Sequence, residues 1–282
     1  MPQDFNQPLE TPELSRDPYE TPLSPNPPLF IETSKVTEEK ISMINFRPSG
    51  WLSEKEIDLL KNAILLRQKD IALCEEERGI LKHSYGKPYK IPVIPHEPWQ
   101  KKPIPIPKLI LTQFIEYPVF CVAKPNGKLR RVHELQYLNK VTIKYAGLPP
   151  NVDELVGSLS RSACYGLGDI MGGYDERELD ITARPLTTFE TPLGILQITR
   201  LPEGEKNSVA VYQAQMTWIL QEEIPEQLGM FIDDGGIKGP RSKNQHEKLK
   251  ENMLIRRFVC EYAVTLERIL LRTEEAGLTI SG

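Results

Sequence analysis

The chain has 282 residues, a formal net charge of −4, 39% hydrophobic and 26% charged residues, a composition that builds a globular core and excludes fibrous classes. No apolar run approaches the roughly 18 residues of a membrane-spanning helix, and Cys74, Cys121, Cys164 and Cys260 form no CxxC pair, which excludes a zinc knuckle and a disulfide scaffold. The thiols are therefore expected to stay reduced in an intracellular chain, cytoplasmic or nuclear, that is not secreted and has no membrane partner.

The 25 prolines are nearly twice the usual share of about 5%, and eight of them fall at or before Pro28 while none follows Pro240. Residues 1–45 are rich in Pro, Glu, Ser and Thr, which predicts a disordered acidic tail with too little apolar surface to offset the entropy of ordering. Ser53 with Glu56 reads as a capping box, and Ile57, Leu60, Ile64 and Ile71 recur at helical spacing, predicting a helix to about Leu73. From 87 to 107 a proline stands every two to five positions, which excludes a helix and suits an extended strap. Residues 46–110 thus form a helix and a strap. Trp99, just ahead of Lys101 and Lys102, either packs the strap onto the core or stacks on a base. Residues 81–145 hold twelve Lys or Arg against three Glu, a local charge of +9 inside a neutral body.

A strand over Val119–Ala123, the turn Pro125, Asn126, Gly127 and a return strand over Leu129–His133 make one hairpin. A second is expected around Pro192 and Gly194. Two more strands end in acids: Tyr165–Leu167 leads into Asp169, and Gly229–Ile232 leads into Asp233 and Asp234, with Gly235 and Gly236 beyond. Leu254, Phe258, Tyr262, Leu266 and Leu270 recur every four residues and predict a final helix stopped by Gly277. Helices mixed with hairpins, without regular strand-helix alternation, predict an α+β domain.

Adjacent aspartates on a tight turn repel each other and need open solvent or a cation. A solvated turn satisfies that need. If Asp169 stands beside Asp233, the three carboxylates instead make an oxygen-only nest suited to Mg²⁺, the arrangement by which two hard cations promote attack of a 3′-hydroxyl on a triphosphate.

Phe120 to Asn139 (FCVAKPNGKLRRVHELQYLN), GDIMGGYDER from Gly168, TTFETPLG from Thr187, NSVAVYQ from Asn207 and FIDDGGIKGP from Phe231 together resemble the reverse transcriptase of gypsy-class long-terminal-repeat retrotransposons, in order and in spacing. The resemblance covers roughly Asn45 to Gly282. It implies a right-hand polymerase fold, a palm with partial fingers over residues 111–282, whose antiparallel central sheet is packed with helices. It makes Asp169, Asp233 and Asp234 the catalytic and metal-binding set for Mg²⁺ or Mn²⁺. Tyr174 then lies under the incoming sugar and excludes a 2′-hydroxyl by bulk, and Arg130, with Lys124 or Lys128, contacts the triphosphate. The implied partners are an RNA or DNA template-primer and deoxynucleoside triphosphates.

Departures are equally specific. The stretch between Leu109 and Pro118 is shorter than in the family, so part of the fingers is expected to be missing. Glu203 and Glu205 stand where the family carries bulky apolar residues, and acids beside a triphosphate repel it. No thumb or ribonuclease H pattern follows the palm, which implies a fragment of a polyprotein and a truncated or degenerate copy. Two functions follow: an RNA-directed DNA polymerase fragment, or an inactive palm remnant that binds nucleic acid or a protein.

Overall fold

The computed structural model describes residues 12–46, 50–72, 74–99, 120–123, 129–147, 151–170, 172–191, 194–241 and 246–281. Its helices are α1 (Glu38–Ser42), α2 (Glu54–Leu66), α3 (Gln136–Val141), α4 (Val152–Leu159), α5 (Gly173–Glu176), α6 (Ser208–Ile219) and α7 (Arg257–Ala276). Its strands are β1 (Ile71–Ala72), β2 (Phe120–Ala123), β3 (Leu129–Val132), β4 (Tyr165–Ile170), β5 (Phe189–Thr191), β6 (Gly194–Leu196), β7 (Leu228–Phe231), β8 (Asp234–Lys238) and β9 (Ile280–Ser281). The central sheet has the order β1-β9-β4-β8-β7. Only β1 with β9 is parallel in it. The hairpins β2-β3 and β5-β6 stand apart as two-stranded sheets. This is the α+β, palm-like fold that the motifs implied. Among the described residues no helix is long and apolar enough to cross a membrane.

Register places the layers. Side chains alternate along a strand, and Leu167 pairs with Gly236, itself opposite Gly229, so these three share a face. On that face α4 lies close: a Cβ at Gly229 would come within 1.9 Å of Leu155 Cδ1, and one at Gly236 within 3.0 Å of Leu159 Cδ1. The opposite face carries Gly166 and Ile237, and there a Cβ at Gly166 would meet Tyr262 of α7 at 2.0 Å. The glycines are what let helices sit this near both sides of the sheet.

The predicted capping box forms, with Ser53 Oγ accepting from Glu56 N and the Glu56 carboxylate from Ser53 N. The same carboxylate accepts from Arg256 N, at 2.9 Å, and from the Arg256 guanidinium, so one acid ties the N-terminus of α2 to that of α7. The helix ends earlier than its periodicity predicts, at Leu66. Ile71 leaves it to pair with Ile280 in β1. The final helix likewise begins at Arg257, leaving Leu254 exposed before it.

Over its described residues, the segment read as a helix and a strap, 46–110, packs directly against the palm. α2 packs along α7, and β1 joins the palm sheet. The tail departs from expectation over its described part, 12–46. Leu23, Val36 and Ile41 are buried, and Leu23 inserts among Leu59, Leu60, Ala63 and Ala263 between α2 and α7. Arg16 makes a bidentate bond to Glu267 at 2.5 and 2.6 Å, and Tyr19 Oη donates to Glu223 at 3.0 Å. Glu267 and Glu223 are 1% and 0% exposed, and buried acids require partners. The tail supplies some of them, with Arg67, Arg268 and Arg272, which is why a polar, proline-rich segment is ordered. Residues 1–11 lie outside the described residues.

Over its described part, 87–99, the strap is extended as predicted, and residues 100–107 lie outside the described residues. Tyr89 bridges to Leu179 and Val93 to Thr142, with Tyr89 and Ile91 buried. Trp99 packs against the main core with its ring 6.4 Å from Tyr137 and 5.2 Å from His96. Packing is therefore the role the structure gives it.

Candidate active site

β7 and β8 form a hairpin whose turn is Ile232 and Asp233, so the two aspartates stand at its tip. β4 runs antiparallel beside β8 with Asp169 directly opposite Asp234, and Ile170 N donates to Asp233 O at 3.0 Å. The two strand ends that terminate in acids are thus brought together. Asp169 and Asp234 lie on the α4 face of the sheet, beside Leu167 and Tyr165, which are exposed at 77% and 58%.

None of the three carboxylates has a described hydrogen-bond or ion-pair partner. Burial first, then the charges of Asp233 and Asp234, raise the Asp169 carboxyl above its ordinary range. A cation would relieve that repulsion, and an all-carboxylate donor set suits a hard divalent ion. The residues fit such an ion in chemistry. Among the described residues no group of three acidic, His or Cys side chains is gathered closely enough to hold a metal ion by itself.

Tyr174 lies on α5, half-buried, its ring 5.2 Å from that of Tyr212 on α6 and tilted by 34°. A Cβ at Gly173 would come within 2.2 Å of Tyr212 Oη, so glycine is needed there for the two helices to meet. Arg130 stands in β3 opposite Val122. Its side chain lies outside the described residues, as do Lys124 and Lys128.

Glu205 corrects an expectation. It does not face a nucleotide-binding surface but is 3% exposed at the start of α6. There it accepts from Asn207 N at 3.0 Å, Ser208 Oγ at 3.3 Å and Tyr89 Oη at 3.3 Å. Burial pushes its carboxyl up. The acid caps a helix and holds the strap, a job that charge alone does not reveal in the sequence. Glu203 is exposed in the turn before it.

One residue at the site was missed. Gln213 sits on α6, 6% exposed, and its side-chain amide meets the backbone of the hairpin at Ile232. The available signal was a glutamine in a helix that is apolar on most sides, SVAVYQAQMTWI, where a buried amide must find partners.

Residues 122–266 match the family described as reverse transcriptase (RNA-dependent DNA polymerase). Among curated proteins, the chain is 28% identical over 180 residues to the retrovirus-related Pol polyprotein from transposon 412 of Drosophila melanogaster, covering 59% of this chain and 14% of that one. It is 32% identical over 113 residues to the corresponding polyprotein from transposon opus of the same organism, covering 39% and 11%. The chain thus spans a small part of these relatives. Among solved structures, the foamy viral protease-reverse transcriptase in complex with dsDNA aligns with a TM-score of 0.66 at 20% identity, over 90% of this chain and 52% of that one. The same enzyme with an RNA/DNA hybrid gives 0.63 at 18% identity, over 82% and 31%. At such identities the likeness is one of fold. With a family match across more than half its length, including the strands and the hairpin that carry the aspartates, the chain belongs to the reverse transcriptase (RNA-dependent DNA polymerase) family.

Proposed function

We propose that this chain is the palm and partial fingers of an RNA-directed DNA polymerase that adds deoxynucleotides to a primer annealed to an RNA or DNA template. The observation that carries this reading is the cross-strand pairing of Asp169 with Asp234 beside Asp233, at the only place where two strands of the sheet both end in acids among the described residues. Asp169, Asp233 and Asp234 would hold Mg²⁺ or Mn²⁺, which supplies activation of the 3′-hydroxyl and charge neutralisation at the leaving pyrophosphate. The chain's own contribution is placement. The register of β4 on β8 sets the acids opposite one another, and the Tyr212 ring supports Tyr174 where bulk can exclude a 2′-hydroxyl. Arg130, with Lys124 or Lys128, supplies positive charge for the triphosphate. The inward turn of Glu205 favours activity, because one of the two acids suspected of opposing the nucleotide is a structural cap.

A second reading, a palm that binds nucleic acid without turnover, is favoured by the +9 over residues 81–145. Primer extension on a primed homopolymer with Mg²⁺ or Mn²⁺ separates the two. Incorporation that disappears in Asp233→Asn supports the polymerase, whereas salt-sensitive binding without incorporation supports the remnant.

A further inference from the structure

The turn that carries Asp233 has an unusual backbone. Ile232 has φ of +60°, the one positive value at a non-glycine residue among the described residues. Positive φ at the first of two turn residues and not at the second is the pattern of a II′ turn, where glycine is the usual occupant. A β-branched side chain resists that conformation, so something around it must hold it there.

The holder is visible. Gln213 Oε1 accepts from Ile232 N at 2.7 Å, while Gln213 Nε2 donates to Met230 O at 3.4 Å and to Thr217 Oγ1 at 3.3 Å. One buried amide therefore grips the backbone on both sides of Phe231 and is itself steadied one turn further along α6. The preceding residue, Tyr212, packs under Gly173 and Tyr174, so neighbouring positions of one helix touch both loops at the carboxylate end of the sheet.

We propose that Gln213 is a positioning residue for the catalytic carboxylates. Its amide holds Ile232 in the left-handed conformation, and that conformation sets Asp233 and Asp234 opposite Asp169. The proposal rests on the polymerase reading for its consequence in catalysis, but the clamp itself is a property of the fold.

The test uses Gln213→Met, close in shape but unable to make either backbone bond, together with Ile232→Gly, which adopts positive φ without strain. Backbone-amide exchange at Ile232 should accelerate roughly tenfold in Gln213→Met, the worth of one buried hydrogen bond. Mn²⁺ affinity should fall, and primer extension should lose kcat with KM for the nucleotide little changed. Adding Ile232→Gly should restore most of that kcat and affinity, since the turn then needs no clamp. Equal exchange at Ile232 in the parent and Gln213→Met overturns the clamp whatever the activity. Faster exchange with unchanged Mn²⁺ affinity and kcat, or a loss that Ile232→Gly does not relieve, overturns the positioning role. A parent chain that neither binds Mn²⁺ through Asp233 nor extends a primer refutes the polymerase reading instead, and exchange at Ile232 still decides the clamp.

Discussion

Glu176 offers the sharpest test of the packing. It ends α5, is fully buried, and receives Thr279 N at 3.0 Å and Thr279 Oγ1 at 2.5 Å on Oε1. Its Oε2 is buried without a described partner. Burial pushes its carboxyl from 4.5 up to about 7, opposed by the Thr279 bonds and the Arg78 charge. A carboxyl raised in the folded state costs nothing below about pH 4.5, where folded and unfolded chains are both protonated. Stability then falls as pH rises through the window to about 7 and stays at the lower level above it. At about 1.4 kcal/mol per pH unit, the displacement corresponds to roughly 3 kcal/mol. Glu176→Gln keeps the acceptor for Thr279 and removes the charge, while its buried amide nitrogen returns about 1 kcal/mol of that gain. The variant is expected to be more stable than the parent by about 2 kcal/mol at pH 8, a rise in Tm of about 4–8 °C for a chain of this size, and to lose that advantage at pH 4.5. Asp70, also buried and raised by that burial, with Thr273 on one oxygen, leaves a slope of the same sign in both parent and variant. Thermal melts from pH 4.5 to 8 decide the matter. Parallel curves for parent and variant would refute the reasoning.

Three further perturbations test other parts of the account. Gly79→Ala drives a Cβ to within 2.3 Å of Gly277 O, a backbone atom that cannot swing away, so denaturant melts should show a loss of about 1–3 kcal/mol. Arg16→Ala leaves Glu267 with Arg67 alone and should cost about 1–3 kcal/mol while raising the rate of proteolytic cleavage between residues 12 and 26; cleavage there as fast in the parent as in the variant would show that the segment is not docked. Tyr174→Ala should allow ribonucleotides to be incorporated, read as a lower ratio of deoxy- to ribonucleotide kcat/KM, and an unchanged ratio would remove Tyr174 from the sugar-facing role.

Local signals in this chain were legible and distant ones were not. The capping box at Ser53 needs only residues three apart, and both Gly-containing hairpins follow from turn chemistry that neighbouring residues set. The approach of Asp169 to Asp234 was readable because both strands end in acids and strands of such a domain pair. Ile71 fitted the helical spacing of α2 only because a β residue fell by chance on the same stripe, and its partner Ile280 lies 209 positions away. The tail was misread for a related reason. Composition weighs apolar content against entropy, but Arg16 and Tyr19 are ordered by buried acids more than 200 residues later in the chain. Glu205 and Gln213 share one ambiguity: a polar side chain beside a site is drawn toward solvent by default, and only the packed structure shows it turned inward.

Primer extension by the purified chain tests the central claim most directly, on a primed RNA homopolymer with Mg²⁺ or Mn²⁺, alongside Asp169→Asn and Asp233→Asn. Each substitution removes one charge from the facing acids while leaving the pairing of β4 with β8 intact. Metal-dependent incorporation of deoxynucleotides by the parent, lost in both variants with duplex binding retained, is the result predicted. Incorporation that survives either substitution, or a folded parent that binds template-primer and never extends it, would contradict the account.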